Sequence, residues 1–294
     1  MGHIAQSSSN NVVEEYYSHN ELGTKKIAII TLDGTILTGE GFIARQIKQV
    51  TDDDSVCGVV LRVNSPGGTV SGSDQILHDL KKMKNERNIP VVVSMGGVAA
   101  SGGYYVSMVV GDDPNTIFAE PTTWTGSIGV KIPHYDLSKL LKEWGIQEDT
   151  IASHKLKTMG SIAKPMTEEE KAIFQTLVDH SFDRFKEVIR SGRPQFEKNP
   201  EALDVLATGQ VFSSQQALEN GLVDKIGYLE NAVDRAISLA KVERTEVKVV
   251  KYETIPTLFS AFAEGRSQQN QVAELKALLN LNSPRAFYIL SWDE

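Results

Sequence analysis

Ser101 lies at the end of Val91 to Gly103, read Val-Val-Val-Ser-Met-Gly-Gly-Val-Ala-Ala-Ser-Gly-Gly. A β-branched run gives way there to residues almost without side chains, the pattern of a tight strand-to-helix turn where backbones approach closely. A serine at such a turn carries an exposed hydroxyl at a helix N-terminus, facing N–H groups that have no intrahelical partner. That is the setting of a serine nucleophile for acyl transfer. A second turn, Asn64-Ser65-Pro66-Gly67-Gly68, offers a backbone N–H with no side chain in the way. Such a donor stabilises a tetrahedral oxyanion by roughly 3–4 kcal/mol. The hydroxyl also needs a base. The first imidazoles after Ser101 are His134 and His154, and the lysine candidates are Lys155, Lys157 and Lys164. A serine can be served by either type, and a lysine must be dried to lose its proton. Lys157 has Leu156 and Met159 as apolar neighbours, but spacing alone does not choose among the three lysines.

The elements that position these groups follow a strand–helix rhythm. Strands are expected over 26–36, 57–63 and 91–94, with helices over 42–50 and 73–84, the latter turning Ile76, Leu77, Leu80 and Met83 to one face. This alternation predicts right-handed crossovers and a parallel sheet, with the site at the carboxyl ends of the strands. Further on, 116–120 reads as a strand and 136–144 as a helix with Leu137, Leu140 and Leu141 inward. The segment 153–165 reads as a loop. Thr167 with Glu170 forms a capping box that opens a helix running to about residue 190, where Gly192 and Pro194 end it. Its Phe174, Phe182 and Phe185 stripe is core or subunit contact. Short helices at 199–206, 215–220 and 229–239 precede a strand at 246–252, and 255–284 forms a polar connection into a short helix.

The 294 residues are 40% hydrophobic and 23% charged, enough for a substantial buried core. A net charge of −8 without a basic cluster argues against a nucleic-acid surface. Cys57 is the only cysteine, which excludes an intramolecular disulfide and a cysteine-based metal site. No apolar run reaches the roughly 18 residues of a membrane span. Residues 1–24 read as a polar stalk or linker, expected to follow an upstream membrane anchor. The chain's other end, Ala286 to Trp292, is unusually apolar. It is expected either to pack as a strand at the subunit surface or to lie in a peptide groove as an added strand.

Five segments in order carry a family resemblance: Asn64 to Gly68, Met95 to Tyr105, Gly126 to Val130, Ser153 to Ser161 and Gly221 to Asp224. Together they resemble the signal peptide peptidase A family of serine peptidases, S49, in its short single-domain form, over residues 26–245. The resemblance implies an α/β Clp-protease/crotonase-like fold, with a mainly parallel sheet and flanking helices. A catalytic domain over 25–252 would be followed by a C-terminal extension, 253–294. It implies a Ser-Lys dyad with Ser101 as nucleophile, Lys157 as general base and Ser127 orienting the amine. The N–H groups of Gly68 and Gly102 would form the oxyanion hole, with no metal and no cofactor. It further implies cleavage of released signal peptides and other unfolded apolar peptides by a membrane-associated homo-oligomer, an octamer, on the extracytoplasmic side. Two departures from the family pattern stand out: His154 where glycine is common, and a longer segment at 111–115. A catalytically silent scaffold and a crotonase-like acyl-CoA enzyme are the rival readings of the same fold.

Overall fold

The computed structural model describes residues 12–254 and 286–290. The chain opens with β1 (Val12–His19) and β2 (Lys25–Asp33), then α1 (Phe42–Asp52), β3 (Val56–Ser65), the three-residue β4 (Gly67–Thr69) and α2 (Val70–Arg87). Next, β5 (Val91–Ala100) leads into α3 (Gly102–Ser107), followed by β6 (Ile117–Ala119), β7 (Trp124–Gly126), α4 (Ser138–Glu143) and the long α5 (Glu168–Gly192). After α6 (Pro194–Lys198) and α7 (Pro200–Leu206) come β8 (Val211–Ser213), α8 (Ser214–Glu219), β9 (Lys225–Ile226), α9 (Leu229–Ala240) and β10 (Val247–Thr254). The last described strand is β11 (Phe287–Ile289).

The described strands form a sheet ordered β1-β10-β2-β3-β5-β6-β9, with β7 joining β5 to β8. From β10 to β9 every neighbouring pair along that order is parallel. Parallel strands covered on both faces read as continuous apolar runs, and β2 shows why. Ile27 and Ile29 face α9, packing with Ala232, Val233, Ala236 and Ile237. Ala28, Ile30 and Leu32 face the opposite layer, which holds Ile43 and Ile47 of α1, Leu80 of α2 and Phe185 of α5. The expected α/β class with a mainly parallel sheet and flanking helices is the observed one.

Local signals set several boundaries. Thr69 caps α2 by accepting from the Gly72 amide at 3.1 Å, and Asn88 closes the helix in the left-handed region. Thr167 and Glu170 form the expected capping box on α5. The four residues anticipated on the inner face of α2 are all buried.

Two expectations need correction. The supposed stalk over 1–24 contains β1, whose residues 12–19 pair antiparallel with β10. Its side chains from Val13 to Tyr17 are exposed, so it carries no burial alternation; backbone pairing at the sheet edge holds it. The helix expected over 136–144 is only α4, and none of its residues is buried. Leu137 and Leu140 face solvent because nothing else in the described chain covers that side. The short helix expected within 255–284 lies outside the described residues.

Candidate active site

β5 delivers the chain to Ser101, whose backbone sits at φ 53 and ψ −115, outside the ordinary regions for a residue with a Cβ. Such a conformation costs on the order of 1–3 kcal/mol and persists only where surroundings fix it. Here two hydrogen bonds do so. The Ser101 amide donates to the Gly126 carbonyl at 2.8 Å, and its carbonyl accepts from the Tyr105 amide at 2.8 Å. The exposed hydroxyl expected at this turn is not what forms: the serine is 1% exposed, and its Oγ has no hydrogen-bond partner. A buried hydroxyl without a partner at the start of a helix is uncommon in folded proteins, which marks Ser101 as a candidate functional group.

Gly102 must lack a side chain. A Cβ there would lie 2.4 Å from Ser73 Oγ of α2 and 3.1 Å from Gly67 Cα. That close approach brings the first N–H of α3 beside β4. Ser127 joins them, since Ala100 and Gly126 are register partners across β5 and β7. Ser127 also has a positive φ, 50°, and its amide donates to the Gln210 carbonyl at 2.7 Å. Ser101, Gly68, Gly102 and Ser127 therefore meet at the carboxyl edge of the sheet.

The lysines sit differently. Lys155 and Lys157 lie in a short 3-10 turn, Lys155–Thr158, and Lys164 follows it, on a segment with little burial. Lys155 is paired with Glu169 at 2.5 Å, and Lys164 with the buried Glu170. Among the described residues Lys157 has no acidic partner, and its side chain is exposed. The apolar burial expected for this amine is not met within one chain, because Leu156 and Met159 are themselves only half-buried. The Ser101 hydroxyl likewise makes no hydrogen bond to it. The two histidines have local tasks: His154 Nδ1 accepts from the Leu156 amide at 3.2 Å, and His134 Nε2 lies 3.3 Å from the Ser161 carbonyl.

The chain's end occupies the edge beside Ser101. β11 runs antiparallel to β4, pairing Phe287 with Thr69, Tyr288 with Gly68 and Ile289 with Gly67. On its other side, the Phe287 and Lys131 amides each donate to the other's carbonyl, at 3.0 and 3.1 Å. The apolar segment is thus held as an extended strand paired with β4 and bridged on its other side to Lys131. The Val70 amide donates to the Ala286 carbonyl at 3.2 Å, and the Leu290 amide to the Pro66 carbonyl at 2.8 Å. Hydrogen-bonded pairs alternate along an antiparallel ladder, so the pair between these two, Gly68 and Tyr288, also exchanges bonds. The Tyr288 carbonyl accordingly faces the Gly68 N–H. It lies so near Gly67, at φ 97, that a Cβ on Gly67 would be 2.2 Å from it.

One motif turns out to be structural. Asp224 accepts from the Thr116 and Ile117 amides at 2.8 and 2.9 Å and pairs with Arg193 at 2.7 Å. Leu222 accepts from the Tyr104 hydroxyl at 2.8 Å, tying the same turn to the nucleophile's helix. The sequence offered no sign of Tyr288 as a partner of β4 beyond the apolar character of its segment.

Residues 83–243 match the model of peptidase family S49. A relative in Enterococcus faecium, named for signal peptide peptidase SppA, is 36% identical over 96% of this chain and 81% of its own length. Protease 4 of Haemophilus influenzae is 33% identical over 90% of this chain, which spans only 46% of that protein. Serine protease SPPA of Arabidopsis thaliana, a chloroplast protein, is 31% identical over 80% of this chain and 35% of its own length. A family model matched over more than half of the chain, together with relatives of this identity and coverage, shows that the chain belongs to the S49 family of serine peptidases.

Proposed function

We propose that this chain is an endopeptidase that degrades cleaved signal peptides and other unfolded apolar peptides through a Ser101–Lys157 dyad. The observation that carries this reading is the extended segment 286–290 lying across β4, with a peptide carbonyl at the Gly68 N–H next to an unpaired Ser101 hydroxyl. A substrate strand binding the same way would present its scissile carbonyl to the nucleophile. Ser101 Oγ attacks that carbonyl while the neutral Lys157 amine takes the proton. The oxyanion gathers hydrogen bonds from Gly68 and Gly102 N–H, and Ser127 orients the amine. Collapse expels the leaving amine, which takes the proton from the lysine. Water, activated by the same amine, then frees the acyl group.

Lys157 is favoured over Lys155 and Lys164 because those two are neutralised by Glu169 and Glu170. Its exposure calls for something to dry it. The surrounding segment carries Tyr135, Trp144, Ile146 and Ile151, each at least half exposed, which suits burial against a second copy of the chain. We therefore propose a homo-oligomer, an octamer by family resemblance, in which assembly desolvates the amine. Among the described residues no helix is long and apolar enough to cross a membrane. Membrane contact on the extracytoplasmic side completes the proposal. The names of the relatives support signal peptides as the substrate class.

The test is fluorophosphonate labelling of Ser101 combined with hydrolysis of synthetic signal peptides by purified protein. Labelling and turnover are expected, with both lost in Ser101→Ala and turnover lost in Lys157→Ala. A folded protein that neither labels nor hydrolyses peptides would turn the assignment to a silent scaffold.

A further inference from the structure

The Ser65 hydroxyl lies where the Gly67-Gly68 turn meets the helix that follows Ser101, and no step of the proposed mechanism uses it. Ser65 ends β3 with no exposed surface, and its register partner is Ala99 of β5. Pro66 follows and has no N–H, so the first amide after the strand belongs to Gly67. That amide donates to Ser65 Oγ at 3.1 Å, a serine turn closed two residues on. The Gly67 carbonyl is held as well, accepting from the Ile36 amide at 2.8 Å. Gly67 is thus gripped through both its N–H and its C=O while its backbone sits at φ 97, a conformation that favours glycine. Its surroundings are close on the catalytic side too, since a Cβ on Gly67 would lie 2.5 Å from the Gly102 nitrogen.

The peptide unit between Gly67 and Gly68 carries the oxyanion donor. Its carbonyl end bonds to Ile36, and in a trans peptide the N–H points the opposite way. The direction of the Gly68 N–H is therefore set by whatever holds Gly67. Ser65 also packs against the first turn of α3, because a Cβ on Gly103 would lie 2.8 Å from the Ser65 carbonyl oxygen and 3.4 Å from its Cβ. One buried residue thus touches both the turn with Gly68 and the helix start with Gly102. We infer that Ser65 is a positioning residue for the reaction: its hydroxyl fixes Gly67 and, through it, aims the Gly68 N–H at the developing oxyanion. The inference rests on the peptidase function proposed above and adds a residue on which its oxyanion hole depends. Without the hydroxyl, a buried N–H is left with no acceptor, a state costly enough to turn the peptide toward any substitute. Rotation there is easy, because glycine adopts either sign of φ. Hydrogen bonds weaken steeply once misaligned, so a donor set askew forfeits much of the about 100- to 1,000-fold that one aimed donor supplies. A neutral ground-state carbonyl gains less from the same donor, so the loss falls on kcat rather than on KM.

The experiment compares the full chain with its Ser65→Ala, Ser65→Cys and Ser65→Thr variants on a synthetic signal peptide, with circular dichroism verifying the fold. Cysteine keeps the shape but accepts weakly, whereas threonine keeps the hydroxyl. Two inhibitors separate donor direction from general packing. The aldehyde acetyl-Ala-Ala-leucinal bonds its carbonyl carbon to Ser101 Oγ, sends the serine proton to the base and sets its oxygen at the two donors. The matching primary alcohol, acetyl-Ala-Ala-leucinol, binds without forming that bond. In the Ala and Cys variants kcat should fall by about 10- to 100-fold, with KM held within about threefold. The inhibition constant of the aldehyde should rise by the same factor while that of the alcohol holds. Threonine should restore kcat to within a few-fold; should it fail to fold, the Ala and Cys variants with the two inhibitors decide the matter. Full kcat in Ser65→Ala, or equal weakening of aldehyde and alcohol, overturns the positioning role while leaving the peptidase intact. Folded wild-type protein that neither labels with fluorophosphonate nor cuts peptide overturns the peptidase reading, and the role of Ser65 with it.

Discussion

Tyr288→Ala in the full chain gives the sharpest reading of what the strand across β4 does. The substitution removes a fully buried ring, its contacts with Tyr105 and Phe185, and the 2.7 Å bond to the Ser181 carbonyl. Truncating a buried aromatic side chain typically costs 3–5 kcal/mol. Taking about 3 kcal/mol as the loss in docking, the equilibrium between seated and released strand moves by about 100-fold. The backbone pairs of Val70 with Ala286 and Leu290 with Pro66 remain available, so release is weakened docking rather than removal of every contact. The assay is the second-order rate of Ser101 labelling by a fluorophosphonate, alongside hydrolysis of a synthetic signal peptide. Both should rise, by up to about 100-fold if the strand is seated nearly all the time. Circular dichroism and sedimentation verify that fold and assembly are unchanged. Unaltered labelling and turnover in a folded, normally assembled variant would refute the idea that this strand and a substrate compete for one seat.

Other outcomes follow from single side chains. Lys157→Ala should lower kcat by about 10²–10⁴, whereas Lys155→Ala, which only frees Glu169, should stay within a few-fold in the same hydrolysis assay. Gly67→Ala would set a Cβ 2.2 Å from the peptide oxygen on a backbone at φ 97, and should cost at least about 100-fold in kcat with the fold retained by circular dichroism. Asp224→Asn breaks the Arg193 pair and weakens the hold on Thr116 and Ile117. A loss of about 3 kcal/mol is expected, read as a fall in Tm of several degrees. The Lys164 ammonium holds the Glu170 carboxyl below the usual carboxylate range, helped by the Thr167 amide. A depressed carboxylate stabilises the fold above its unfolded pKa, about 4.3, and that contribution disappears as pH falls through the lower folded value. Glu170→Gln should therefore flatten the acid limb of a stability-versus-pH curve measured by denaturant unfolding.

Ser101 and the Gly67-Gly68 turn were legible because backbone crowding leaves a signature in residue size: only small side chains fit where α3 meets β4 and α2. The central strands were legible for a related reason, as burial on two faces leaves unbroken apolar runs such as Ile27 to Ile30. Spacing did not separate Lys157 from Lys155 and Lys164, because which acids lie near a lysine is set by the fold, and Glu169 and Glu170 reach the other two across a loop. β1 was hidden because an edge strand is held by main-chain bonds and lets its side chains face water. α4 misled in the opposite sense: its leucines promise an inner face that the described chain does not supply. The Gly221 to Asp224 motif carried the right family signal, but its carboxylate serves architecture rather than bond cleavage.

The order of strands has a consequence for how this peptidase comes into being on the ribosome. Among the described strands, β1 makes its backbone pairing with β10, a strand synthesised more than 200 residues later. Asp224 likewise anchors β6 across an interval of over 100 residues. Contacts so distant in sequence form late, so a nascent chain already carrying Ser101 still lacks the pieces that brace it. Completion of the sheet is thereby deferred until β10 has been made.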